Sequence, residues 1–294
     1  KALITLSSDI QPRLWYLFDS EKNKLTFVAN SNKNVNTEQL NPQYSFNFMA
    51  RDNTPIQGYI TLPVKIDNAP PPAVILVHGG PHSRDYWGFD PEVQLLSSRG
   101  YAVVQVNFRG STGFGWEFEA SGFKQWGEKV QFDILDSIDY LVEKQYLDKS
   151  RLCIMGASFG GYSAIQSSII APDLFKCSIA TSGVYDIQLQ VEDEKPEVGR
   201  ALTKRTGLED IQSNHSPINA IEHLKSPVLI VHGTKDDTVD VKQAEALIKQ
   251  LKKYKKQYQW FEIENEGHYF YKPENRIAYY EKVIQFLNKY NPVN

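Results

Sequence analysis

Cysteine is scarce in this sequence, and an excess of either charge is missing. The only cysteines are Cys153 and Cys177, too few for the disulfide framework of a small secreted scaffold. The 32 Lys+Arg and 35 Asp+Glu leave a net charge of −3. So balanced a chain is not built to bind nucleic acid or an anionic membrane surface through a basic field. No window approaches 18 consecutive apolar residues, so no membrane-spanning helix is expected. Internal repeats and low-complexity tracts are missing as well. What is present is ordinary globular material, 41% hydrophobic and 23% charged, which excludes global disorder. The 294 residues correspond to two domains or to one large α/β domain. No signal-peptide core follows Lys1, and the compartment is left between cytoplasm, which is favoured, and periplasm.

The pattern changes near residue 44. Residues 1–43 are polar and rich in Asn, Ser and Lys, with two strand-like stretches, Pro12 to Phe18 and Lys24 to Val28. These predict a β-hairpin turning at Asp19 to Asn23, followed by a linker from Asn30 to Asn41. Tyr44 to Met49 and Gln57 to Leu62 alternate as antiparallel strands do. After Pro70-Pro71-Pro72, short, almost continuously apolar runs take over: Ala73 to Val77, Tyr101 to Val106, Leu152 to Met155, Cys177 to Ala180 and Val228 to Val231, with Phe261 to Ile263 closing the series. Such runs suit a parallel sheet buried on both faces. Helical patterns lie between them, at Asp133 to Tyr146, Val241 to Tyr254 and Ile277 to Tyr290. The alternation predicts a doubly wound, mostly parallel α/β sheet with helices on both faces.

Gly156-Ala157-Ser158-Phe159-Gly160-Gly161 follows one apolar run and precedes a helix-compatible stretch. This is G-x-S-x-G at a strand-to-helix turn, the nucleophile elbow of the α/β-hydrolase fold. The chain's composition yields ~0.08 chance matches to that pattern, so it is the context that makes it informative. A turn this tight needs glycine on either side of the serine, and it lifts the hydroxyl clear of the sheet at the positive end of a helix. In this fold the acid and then the histidine follow the serine. Val228 to Val231 leads into His232-Gly233-Thr234-Lys235-Asp236-Asp237, so Asp236 or Asp237 is the acid. Of the six histidines only His268 lies beyond both. The reading is acyl transfer: Ser158 attacks, His268 takes and returns the proton, and the carboxylate orients His268. His232 reads as a structural histidine, and His215 and His223 as surface or capping residues.

Val77-His78-Gly79-Gly80-Pro81-His82 supplies a glycine-rich turn for an oxyanion hole, with donors expected at the N–H groups of Gly80 and Phe159. His78 and His82 stand four apart, but the intervening Gly-Gly-Pro forbids the helix that a metal pair would need, and no further ligands cluster there. Neither a metal nor a cofactor is expected. Arg109 reads as an internal ion-pair or loop anchor. Asp133, Asp136 and Asp139 read as a solvated helix face with one structural contact, and Lys252 to Lys256 as a solvated helix end.

Several stretches together carry a family resemblance. They are His78 to His82 with Arg84-Asp85, Asn107 to Gly115, Gln125-Trp126-Gly127 with Asp133, Gly156 to Tyr162, His215-Ser216-Pro217, His232 to Asp237 and Glu266-Gly267-His268. Over residues 44–294 the chain resembles the catalytic domain of the prolyl oligopeptidase family of serine peptidases, in its acylaminoacyl-peptidase and dipeptidyl-peptidase-like branch. The resemblance implies short peptides as substrates and places the acid at Asp236. It implies a pocket for the residue before the scissile bond, lined by Phe159, Val184, Ile187 and Val239. Several relatives carry a tyrosine where this chain has His78, so here the hole relies on backbone N–H groups. The family also carries an N-terminal β-propeller. The start at Lys1 and the character of residues 1–43 are read as the remnant of that missing partner domain. A homo-oligomer is compatible with the sequence. Two alternatives remain: a carboxylesterase of the same fold, and a catalytically silent hydrolase-fold interaction module, against which the intact Ser158, Asp236 and His268 argue.

Overall fold

The computed structural model describes residues 1–64, 69–193, 206–211 and 213–293. Among these residues eleven strands form two sheets. β1 (Ala2–Leu6), β2 (Leu14–Asp19) and β3 (Lys24–Asn30) make a small antiparallel sheet in that order. The expected hairpin is therefore three-stranded. Leu3 pairs with Leu17 and Leu6 with Leu14. The expected linker contains a 3₁₀ turn, Thr37–Gln39, capped by the Asn36 side chain on the Glu38 N–H.

The large sheet contains β4 (Gln43–Met49), β5 (Pro55–Thr61), β6 (Ala73–Val77), β7 (Ala102–Asn107), β8 (Leu152–Ala157), β9 (Cys177–Thr181), β10 (Val228–Gly233) and β11 (Tyr258–Ile263). Their order is β11-β10-β9-β8-β6-β7-β5-β4. β4 and β5 are antiparallel to their neighbours, and the other pairings are parallel. Strands β6, β7 and β10 are buried along their whole length, because helices cover both faces. Cys153 and Cys177, partners in register on β8 and β9, are joined as a disulfide.

One face is covered by α1 (Pro91–Ser98) and the C-terminal helix. There Val93, Leu96, Tyr279, Val283 and Phe286 pack on Val74, Leu76, Val103 and Met155. The other face carries α2 (Trp116–Ala120) near its rim, then α3 (Lys129–Glu143), α4 (Phe159–Ile170), α5 (Ile187–Asp193) and α6 (Lys242–Lys253). The C-terminal helix, Pro273–Tyr290, is α7. Ile134, Ile138 and Leu141 bring α3 onto Ile75, Val104 and Ile154.

Arg109 is an internal anchor, as expected. Its guanidinium meets Asp133 at 2.7 Å and Asp52 at 2.7 Å and is almost wholly buried. The acidic series of α3 is more engaged than expected: Asp133 holds Arg109, Asp136 holds Arg51 at 2.6 Å and Asp139 meets Lys149. The Arg51 and Arg109 pairs tie the β4–β5 turn and the end of β7 to α3.

The order in which strands are added reverses around β6, which has β7 on one side and β8 on the other. The loops leaving the carboxyl ends of β6 and β8 therefore open side by side, at the place where open α/β sheets hold their ligands.

Candidate active site

Ser158 sits between β8 and α4 with φ 59° and ψ −121°. Non-glycine residues seldom adopt positive φ, and such strain collects at functional turns. The backbone is held there by the Ser158 N–H, which donates to the Thr181 carbonyl at 2.9 Å. Glycine is required on both sides. A Cβ on Gly156 would lie 2.5 Å from the Gly160 carbonyl carbon, and one on Gly160 would press into the Val77 carbonyl oxygen. The N–H of Phe159 opens α4, where four N–H groups lack helical partners.

Asp236 and His268, the expected acid and base, lie in loops beyond β10 and β11, at the same edge of the sheet. Asp236 accepts the N–H groups of Thr238 and Val239 through Oδ1, at 3.0 and 2.9 Å. Its Oδ2 lies 2.8 Å from His268 Nδ1 and 3.3 Å from His232 Nε2. The side chain is fully buried, and that of His268 is one-tenth exposed. Burial opposes ionisation of Asp236, but the hydrogen bonds from His232, His268 and the Val239 N–H outweigh it and hold the carboxyl below the usual range. Asp237 is exposed. His232 is more than the ordinary structural histidine its place in the sequence suggests. It is fully buried, donates toward the Val239 carbonyl at 2.8 Å, and flanks the carboxylate opposite His268.

The loop after β6, where the oxyanion hole is expected, lies against the elbow. β6 pairs with β8 so that Val77 faces Gly156, and a Cβ on Gly79 would sit 3.4 Å from Ser158 Cβ. A cavity of about 190 Å³ opens there, lined by Gly80, Ser158, Phe159, Val184 and Val239 among others. Ile187 does not line it, contrary to expectation. It begins α5, with its N–H on Ser216 Oγ at 3.0 Å, and its side chain is buried in the core. Trp126, Gln190, Thr206, Leu208 and Thr238 also line the cavity and were not anticipated. For Trp126 a signal existed, since it belongs to the Gln125-Trp126-Gly127 match. It stands edge-on to Phe159 at 4.5 Å. Leu208 carries no such signal, because only the tertiary fold brings it to the cavity. Among the described residues no group of three or more His, Cys, Asp or Glu could hold a metal ion.

The model of the prolyl oligopeptidase family matches residues 87–292. The chain belongs to that family. Dipeptidyl peptidase family member 6 of Caenorhabditis elegans is 30% identical over 319 residues, an alignment spanning 98% of this chain and 43% of that protein. Dipeptidyl aminopeptidase BIII of Pseudoxanthomonas mexicana is 30% identical over 301 residues, spanning 97% and 44%. Among solved structures, a puromycin-hydrolyzing peptidase of Mycobacterium tuberculosis superposes with a TM-score of 0.89 at 25% identity, over 99% of this chain and 46% of that one. The acylaminoacyl peptidase of Pyrococcus horikoshii superposes at 0.86 and 23%, which speaks for the shared fold. The chain thus spans less than half the length of each of these relatives.

Proposed function

We propose that this chain is the catalytic domain of a serine peptidase of acylaminoacyl- or dipeptidyl-peptidase type that cleaves short peptides. The observation that carries the reading is the 2.8 Å contact between Asp236 and His268 Nδ1, made at the sheet edge where Ser158 stands in its strained turn. A carboxylate on Nδ1 leaves Nε2 free to act as base. Ser158 Oγ attacks the scissile carbonyl while His268 takes its proton. The carbonyl oxygen becomes an oxyanion, for which the N–H groups of Gly80 and Phe159 are the donors. His268 then protonates the leaving amine, and water repeats the sequence on the acyl-enzyme. Asp236 remains ionised throughout and stabilises the imidazolium.

The cavity beside Ser158 takes the side chain before the scissile bond. Its Trp126, Phe159, Val184, Leu208 and Val239 walls suit an apolar side chain. Residues 1–43 are read as a remnant of an N-terminal β-propeller, with residues 44–294 as the hydrolase. The exposed apolar residues of the small sheet, Leu3, Leu25, Phe27 and Val28, support a partner there.

The test is a substrate panel of N-acetylated, free-amine dipeptidyl and internally extended p-nitroanilides beside p-nitrophenyl esters, with Ser158→Ala as control. Amide cleavage that disappears with Ser158, together with loss of fluorophosphonate labelling, is expected. Ester cleavage without amide cleavage would move the assignment to a carboxylesterase. Labelling that persists in Ser158→Ala would remove Ser158 as nucleophile.

A further inference from the structure

His78 and Ser111 belong to two matched motifs that the proposed chemistry leaves without a task. His78 directly follows β6, and its ring stacks on Phe108 with centroids 4.2 Å apart and planes 13° apart. Nδ1 lies 2.8 Å from the Gly79 carbonyl oxygen and Nε2 lies 3.0 Å from Ser111 Oγ. A carbonyl can only accept, so Nδ1 carries a proton. Burial pushes the His78 pKa down to about 4, and neighbouring Arg84 pushes it the same way. The ring is neutral at pH 7, so Nε2 is an acceptor and Ser111 must donate to it. Ser111 is fully buried and fixed by its own N–H on the Phe108 carbonyl at 3.0 Å.

The Gly79–Gly80 peptide is trans, and in a trans peptide the C=O and N–H point in opposite directions. Holding the Gly79 oxygen against the His78 ring therefore turns the Gly80 N–H the other way. Two glycines in succession would otherwise let that peptide rotate at little cost. We propose that His78 and Ser111 are positioning residues: Ser111 sets the His78 tautomer, and His78 locks the Gly79–Gly80 peptide so that the Gly80 N–H is aimed at the oxyanion. This rests on Gly80 being an oxyanion donor.

Two arms separate the two readings. A structure with a peptide trifluoromethyl ketone tests the donor: the hemiketal oxygen is expected within hydrogen-bond distance of Gly80 N and Phe159 N, and an oxygen placed elsewhere would remove Gly80 from the hole. The relay is tested by kinetics and by long-range ¹⁵N spectra of the histidines. His78→Ala is expected to lower kcat about 100-fold, the lower end of the cost of one oxyanion donor, with KM within about twofold. Ser111→Ala is expected to lower kcat roughly 10-fold. Ser111→Thr keeps the hydroxyl and restores the rate. His78→Asn, whose amide nitrogen reaches the place of Nδ1, recovers more activity than His78→Gln. The spectra of the unaltered protein are expected to show His78 protonated at Nδ1 alone. A ring protonated at Nε2, an unchanged kcat in Ser111→Ala, or losses confined to KM would overturn the relay even with the oxygen seated on Gly80.

Discussion

At Asp236 one carboxylate serves two histidines and two backbone N–H groups. That density distinguishes it from the residue next to it. Asp237 is exposed, whereas the Asp236 carboxylate sits in a buried cluster of donors that stabilises a negative charge. Asp236→Asn keeps the shape but offers His268 Nδ1 an ambiguous amide, so the imidazole can settle in the wrong tautomer. Loss of kcat by about 10⁴ is expected, while Asp237→Asn stays within roughly twofold of wild type, as surface changes usually do. Steady-state kinetics on both variants decides this, and the reverse ranking would reassign the acid. His232 has a separate role to test, because its Nε2 approaches the same carboxylate oxygen that His268 uses. Nothing in the residue order distinguishes His232 from an ordinary strand-end histidine. Its closeness to Asp236 arises from the turn that Thr238 and Val239 close on Oδ1, which a linear pattern does not encode.

Elements that are buried on both sides announce themselves in sequence, and those that are half-exposed do not. β6, β8 and β10 were legible because both faces need apolar side chains, so the runs are uninterrupted. β1 is largely exposed and finds its partner β2 only across an intervening loop, so its five residues leave no alternation to read. Ile187 was misplaced for a related reason: an apolar residue near the pocket in sequence was instead taken into the core by the start of α5. Helix α1 carries a cost that sequence also hides. Glu92 in its first turn is favourable to the helix dipole, yet burial raises its pKa to about 8, with Asp90 and Asp85 adding to the shift. Tyr279 and Tyr280 of α7 face the same group, and the Tyr279 hydroxyl bonds to Glu92. Below the unfolded value of about 4.5 both states are protonated. Between there and pH about 8 the native state alone keeps the proton, so stability falls as pH rises, and above pH about 8 the loss is complete. Glu92→Gln is expected to flatten that slope, matching wild type near pH 4.5 and melting higher at pH 8, by about 2–4 °C for each kcal/mol recovered. Parallel thermal curves for the two proteins across that range would show that Glu92 does not titrate on folding.

At the scale of the whole molecule the question is how the small sheet is joined to the large one. A boundary at residue 43 follows the change in composition, but the hydrogen bonds cross it. Gln43 N–H donates to Asp9 Oδ2 at 2.8 Å, and its Nε2 donates to Gln105 on β7 at 2.8 Å. Gln94 on α1 accepts the Asn41 N–H at 2.9 Å and donates to the carbonyls of Asn41 and Asp9, at 2.8 and 3.2 Å. Asp9, Asn41, Gln43 and Gln94 are all buried, so each group that loses its partner there stays away from water. The N-terminal stretch is thus attached by a buried polar clasp rather than trailing as a tether. Burial is what gives the clasp its strength, since a buried donor left unpaired costs about 1–3 kcal/mol. Asp9→Ala is accordingly expected to destabilise the protein by that amount, with the damage concentrated at one place. In hydrogen–deuterium exchange the Gln43 amide should lose protection, and the start of β4 with it, while β8 and β10 in the sheet interior keep theirs. Asp9→Asn retains an oxygen for the Gln43 N–H and should recover most of the loss. Unchanged protection at Gln43 in Asp9→Ala would mean that β4 is held by its pairing with β5 alone, and the small sheet would then be a separable appendage of the hydrolase.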